Sequence, residues 1–145
     1  MFKLFEKNKQ IANNFLVKKE FANSLEYYNK CISLLKHAPK IEVIKTLLNR
    51  TSCYLYMEQY ENVINECSKL ILSIHKQKNI YILKNDEETL LKLKQLEFAV
   101  YVRRAAAYNN ISKYFEAYED FTKANELKPE DQEIKENIKK LKMKL

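Results

Sequence analysis

The sequence predicts an all-α protein made of three antiparallel helix pairs closed by a terminal helix. Three observations carry that reading. First, three stretches share one register: Phe15, Phe21, Ser24, Tyr28 and Cys31; Tyr54, Tyr60, Val63, Cys67 and Leu70; Tyr108, Tyr114, Ala117, Phe121 and Ala124. In each, an aromatic is followed six residues later by another, then by small and large residues at helical steps. Ala12, Thr51 and Ala105 lie three places before each first aromatic, small enough to let two helices approach while the large positions fill the gap between them. Second, the chain has no Gly and only two prolines, Pro39 and Pro129, which disfavours sheet folds that need many tight turns. Third, Ile134, Ile138, Leu141 and Leu145 form one apolar stripe at helical spacing in an otherwise polar C-terminal segment.

The elements follow in order. The first pair is expected at about 3–18 and 21–36, the second at about 40–57 and 60–76, and the third at about 87–110 and 114–127. A last helix spans about 130–143. Pro39 and Pro129 stand where helices begin, tolerated because a first-turn N–H has no intrahelical partner. Asn85 or Asp86, followed by Glu87 and Glu88, is an N-terminal capping signal, so the helix that starts there should be unusually long.

This pattern resembles the tetratricopeptide repeat (TPR), and it covers nearly the whole chain, including the closing Leu127-Lys128-Pro129. The resemblance implies a single domain over 1–145, a TPR superhelix of three helix-pair repeats plus a C-terminal capping helix. Repeat 1 would span about 3–36, repeat 2 about 40–76, repeat 3 about 87–127 and the cap about 130–143. The spacing from Phe21 to Tyr60 is 39 residues and from Tyr60 to Tyr114 is 54, against the usual ~34. The second excess marks an insertion at about 77–86.

Composition narrows the function. Without Gly, no phosphate-cradling loop of the P-loop or dinucleotide type can form. No run approaches the roughly 20 apolar residues that span a bilayer, and the N-terminal Met1-Phe2-Lys3-Leu4-Phe5-Glu6-Lys7 has no apolar signal core, so a cytoplasmic protein is expected. Cys31, Cys53 and Cys67 show no CxxC spacing and fall on or beside packing positions, as reduced, buried small residues do. His37 and His75 bear no ligand spacing to them, so no metal and no cofactor are expected. The formal charge is +7, but lysines alternate with acids rather than forming a stripe, so a solvated face is favoured over nucleic acid. Both histidines fall at expected ends of second helices, where the helix dipole accounts for them without catalysis. No serine, cysteine or carboxylate pair has a partner set by the repeat, so the chain is not expected to be an enzyme.

In a TPR array the first helix of each pair lines the inner groove. The groove positions here are Glu6, Lys9, Gln10 and Asn13 in repeat 1, Lys45, Leu48, Asn49 and Ser52 in repeat 2, and Ala99, Val102, Arg103 and Ala106 in repeat 3. Lys9, Asn13, Asn49 and Arg103, two cations and two carboxamides converging there, suit a terminal carboxylate with acidic side chains nearby: asparagine donates N–H, lysine is a point charge, arginine a fork. Through Lys9-Gln10-Ile11-Ala12-Asn13, Asn49-Arg50 and Arg103-Arg104-Ala105 the sequence resembles the carboxylate-clamp TPR domains of co-chaperones. Those domains bind the Glu-Glu-Val-Asp tails of Hsp90 and Hsp70. The resemblance implies a peptide-carboxylate site of Lys9, Asn13, Asn49 and Arg103, with further contacts from Lys45, Leu16, Ser52, Ala99 and Ala106. Ala99 stands where the family usually has a fifth, basic residue; Lys45 could partly replace it.

The long insertion leading into Tyr101-Val102-Arg103-Arg104 also resembles the C-terminal TPR module of the dynein axonemal assembly factor 4 family. A p23-like domain usually precedes that module, so the chain is expected to be an excised module or a stand-alone relative. Two rival functions follow. One is a scaffold in a multiprotein (for example dynein-arm) assembly complex, holding another acidic peptide with no need for its free carboxylate. The other is lysine-driven nucleic-acid binding, with a steep salt slope. The partners expected are a chaperone tail and client or assembly-complex proteins, with no nucleic acid and no membrane.

Overall fold

A computed structural model describes residues 2–145, apart from the His37 side chain. Among the described residues there are seven α-helices and no strand. They are α1 (Phe2–Val17), α2 (Phe21–Ile32), α3 (Lys40–Tyr56), α4 (Tyr60–Leu83), α5 (Glu87–Asn110), α6 (Tyr114–Leu127) and α7 (Gln132–Lys142), with a 3-10 turn at Leu35–His37. Among the described residues no helix is long and apolar enough to cross a membrane.

The joints within this chain do without glycine. Lys19, Glu58, Asn85 and Ser112 all take positive φ, between 54° and 63°, each in the middle of a three-residue turn. In each turn the middle N–H reaches the carbonyl three residues back (Leu16, Leu55, Ile82, Asn109). The next N–H reaches the carbonyl five back (Phe15, Tyr54, Tyr81, Tyr108). This is the Schellman closure, which normally uses Gly because a Cβ crowds the left-handed region.

The helices form two compact units, the first ending at Gln59 and the second running from Tyr60 to Leu145. In the first, α1, α2 and α3 bury Phe5, Cys31 and Leu34 in one cluster and Ala12, Tyr28 and Cys53 in another. The Ser24 hydroxyl donates to the Ala12 carbonyl at 2.8 Å, which a larger side chain at either position would prevent. The Phe21 and Tyr56 rings stack at 4.6 Å. In the second unit, α4 packs on α5, α5 on α6 and α6 on α7. Val63, Cys67, Leu70, Ala105, Ala117, Phe121 and Ala124 are all buried, as the repeat register requires.

Three boundaries and one side chain differ from expectation. Helix α2 stops at Ile32 rather than 36, because Pro39 holds Ala38 extended (φ −110°, ψ 149°) and the chain must leave the helix first. Helix α4 continues to Leu83 rather than 76, so most of the 77–86 stretch is two further turns of helix. Buried Gln77 and half-buried Ile80 give those turns an inner face. Helix α5 begins at Glu87 and is 24 residues long, as the capping signal predicts; Asp86 Oδ1 accepts the Thr89 N–H at 3.1 Å. Pro129 lies in the turn before α7 rather than in its first turn. Asp131 caps the helix instead, its Oδ1 accepting the Ile134 N–H at 3.1 Å. Ile134 and Leu141 are buried and Ile138 half-buried, while Leu145 lies beyond the helix and is exposed.

Candidate functional site

Lys9, Asn13 and Leu16 recur along one face of α1, and Lys45, Asn49 and Ser52 repeat the same spacing along α3. Both helices belong to the first unit. Asn49 Nδ2 donates to Asn13 Oδ1 at 3.4 Å, and the Tyr28 hydroxyl donates to the same oxygen. Tyr28 is fully buried, and burial holds its hydroxyl well above the usual phenol range, so it stays a donor. With Oδ1 held from two sides, the Asn13 amide is fixed with its donor end turned away from Tyr28 and Asn49.

Lys9 is the electrostatic centre of this face. Its ammonium donates to Glu42 Oε2 at 2.8 Å and to Glu6 Oε1 at 3.0 Å. Lys45 Nζ lies 3.6 Å from Glu42 Oε1. Partial burial works against the Lys9 charge, but hydrogen bonds and charge from Glu42 and Glu6 outweigh it and raise the lysine above its ordinary value. The Lys9 hydrogen bond in turn lowers the Glu42 carboxyl. Four charges, two of each sign, thus meet at one end of the face.

Leu16 and Ser52 lie at the other end. With Val17, Lys19, Phe21 and Tyr56 they line a surface cavity of about 260 Å³. Ser52 is buried and Leu16 half-buried.

Ala99, Arg103 and Ala106 are half-buried on α5, in the second unit. The Arg103 charge bears on the Cys67 thiol of α4. Burial pushes that thiol up to about 12 while Arg103 and Arg104 pull the other way. Cys31 is likewise pushed up, to about 11, by burial. All three cysteines are buried free thiols.

Arg104 follows Arg103 on α5. Its Nε and Nη2 donate to Asp120 Oδ2 and Oδ1 at 2.7 and 2.8 Å, and its Nη1 donates to Ser68 Oγ at 3.0 Å. It therefore ties α4, α5 and α6 together. A second buried carboxylate, Glu97 on α5, meets Lys78 Nζ at 2.9 Å and His75 Nε2 at 2.8 Å, both from α4. His75 is thus in mid-helix facing a carboxylate, not at a helix end as the sequence suggested, because α4 runs on past it. His37 falls in the 3-10 turn, and its side chain lies outside the described residues.

Sequence reasoning missed Glu42, Tyr28 as a donor, and the Arg104–Asp120 pair. Glu42 carried a signal: it stands three residues before Lys45 and seven before Asn49, so it shares their helix face. Tyr28 falls on a packing position of the register, and its hydroxyl has no pattern of its own.

No family model matches the chain. Outer envelope protein 61 of Arabidopsis thaliana is 26% identical over 141 residues, 94% of this chain but 22% of that protein. The chain therefore spans about a fifth of that relative's length. Among solved structures, the Arabidopsis OM64 TPR domain superposes with a TM-score of 0.74 at 21% identity, covering 99% of this chain and 98% of that one. The first TPR of Spaghetti (RPAP3), bound to the HSP90 peptide SRMEEVD, gives 0.70 at 18% identity, with 97% and 92% covered. The second TPR domain of human RPAP3, in complex with the HSP70 peptide SGPTIEEVD, gives 0.69 at 20% identity, with 97% of each chain covered. With seven helices, the shared register and these superpositions, the fold is that of a tetratricopeptide repeat domain.

Proposed function

We propose that this chain is a non-catalytic interaction module of the carboxylate-clamp type, an adaptor for the acidic C-terminal tail of Hsp90 or Hsp70. The observation that carries the reading is the Lys9, Asn13 and Asn49 face, where Asn49 and Tyr28 orient the Asn13 amide one helical turn from the partly buried Lys9 ammonium. An amide donor end next to a lysine suits one oxyanion held by N–H on one side and by charge on the other. Arg103 stands five residues before Tyr108, as Asn49 stands five before Tyr54, and is assigned to the tail on that sequence register. The HSP90 and HSP70 peptides held by the RPAP3 domains support the ligand class.

The charge balance at Lys9 favours one alternative, in which the module holds an internal acidic segment of an assembly-complex protein. Lys9 already has two carboxylate partners, so a single free carboxylate finds less positive charge at this lysine than at an unpaired one. Calorimetric titration with a Glu-Glu-Val-Asp peptide as free acid and as amide decides between them. A tail adaptor loses most of its binding on amidation; a scaffold for internal acidic segments binds both alike.

A further inference from the structure

We propose that Glu42 is an internal occupant of the carboxylate subsite at Lys9 and competes with a ligand carboxylate for that ammonium. The inference rests on the tail-binding reading and deepens it by naming the residue that sets how strongly acidic a ligand must be. Lys9 has three N–H donors, and two are engaged: Glu42 Oε2 at 2.8 Å and Glu6 Oε1 at 3.0 Å. Glu6 is a neighbour one turn back on α1. Glu42 comes from α3, 33 residues away, so its contact exists only when the unit is folded. Its carboxylate is the same functional group as the proposed ligand's and sits where an oxyanion on Lys9 would sit.

The charge count supports competition. Lys9 and Lys45 carry two positive charges, Glu6 and Glu42 two negative, so this end of the face attracts a free carboxylate weakly until an internal one leaves. A side chain held on the same unit acts at a high effective concentration, which raises the apparent dissociation constant of any rival. Glu42 is anchored in α3, but its carboxylate is at the end of a flexible side chain, 27% exposed, with room to swing toward water.

The test is calorimetric titration of wild type, Glu42→Gln and Glu26→Gln with the free-acid and amidated tail peptides at low salt. Glutamine keeps the volume and the backbone carbonyl that accepts the Thr46 hydroxyl, while losing the charge. Glu26 pairs with Lys30 on the exposed face of α2 and controls for overall charge. Glu42→Gln should tighten the free-acid peptide about two- to fivefold, the range of a partly exposed ion pair, with Glu26→Gln unchanged. If the gain vanishes with the amidated peptide, Lys9 takes the terminal carboxylate; if it persists, Lys9 takes an acidic side chain. Wild-type binding with no gain, or a loss, in Glu42→Gln overturns the inference and leaves the tail reading standing. In that case Glu42 only positions Lys9. Failure of every protein to bind either peptide overturns both. Should Glu42→Gln not fold, Glu42→Asp carries the test: the shorter side chain keeps the charge but holds Lys9 less closely, so the free-acid peptide should still gain, and no gain overturns the inference.

Discussion

Arg104 holds Asp120 with both arms of its guanidinium, Nε at 2.7 Å and Nη2 at 2.8 Å, and the carboxylate is only 5% exposed. The guanidinium also lies 5.9 and 5.8 Å from the rings of Tyr101 and Tyr108. A buried carboxylate left without its partner is far worse than no charge at all. Arg104→Ala should therefore destabilise the second unit by about 3–5 kcal/mol in urea melts, since Asp120 stays buried and uncompensated. Arg104→Lys should restore only part of this, because an ammonium cannot reproduce the fork or also reach Ser68. A variant that melts like the parent would show that Asp120 is solvated in solution.

The four glycine-free turns give a second expectation. A left-handed residue with a Cβ costs about 1–2 kcal/mol, less for asparagine, while glycine loses more chain entropy on folding. Lys19→Gly, Glu58→Gly and Ser112→Gly should each stabilise by a net ~0.5–1 kcal/mol, raising Tm by a few degrees, and Asn85→Gly should do least. Equal or lower melting temperatures in all four would mean that these turns relax out of the left-handed region.

Much of the fold was legible because its signal is local and repeated. The small residues Ala12, Thr51 and Ala105 and the packing positions Tyr28, Cys31, Val63, Cys67, Leu70 and Phe121 are buried where the register puts them. The end of α4 was not legible from repeat length alone, because nothing between His75 and Lys84 breaks a helix and buried Gln77 looks polar in sequence. At the site, one face of α1 and one of α3 could be read from spacing. The partner of Lys9 could not, since an ion pair 33 residues apart depends on how two helices approach rather than on either pattern. The neighbouring Arg103 and Arg104 look alike in sequence, and only packing shows that Arg104 ties α4, α5 and α6 together.

Binding should respond to the tail-binding residues one by one. Losing one partner of a desolvated charge contact costs about 2–5 kcal/mol. Lys9→Ala or Arg103→Ala should weaken tail binding tenfold or more in calorimetry, with helicity by circular dichroism unchanged. Ala99→Lys should tighten it by roughly 0.5–1.5 kcal/mol, less as salt rises. Wild-type affinity in Lys9→Ala or Arg103→Ala would rule out the tail reading.

The Lys9–Glu42 pair should leave a mark on stability against pH. The Glu42 carboxyl is lowered from 4.5, chiefly by the Lys9 hydrogen bond, so its contribution is present above 4.5 and is lost as pH falls through the lower folded value. Lys9 is raised from 10.5, so its contribution is full below 10.5 and lost as pH climbs through the higher folded value. Glu42→Gln should therefore flatten the stability profile below about pH 4.5 relative to wild type, read as urea midpoints from pH 2 to 7. Parallel profiles would show that the pair is too solvated in solution to be linked to folding.

The last helix offers the bluntest test. Ile134 and Leu141 of α7 are 3% exposed, and Ile138 is half-buried beside them. Helix α7 packs on α6, whose buried Phe121 shares a cavity of about 320 Å³ with Leu141, Met143 and Asn137. Repeat arrays need such a cap because the final pair otherwise exposes an apolar face. Each fully buried aliphatic side chain is worth about 1.5–3 kcal/mol, so two of them are a large part of a domain's usual 5–15 kcal/mol. A chain ending at Lys128 should melt far below the parent or aggregate, although Arg104, Asp120 and Ser68 all remain. If it stays monomeric and melts within a couple of degrees of the parent, α7 is not docked on α6 in solution, and the helix is a free arm rather than a cap.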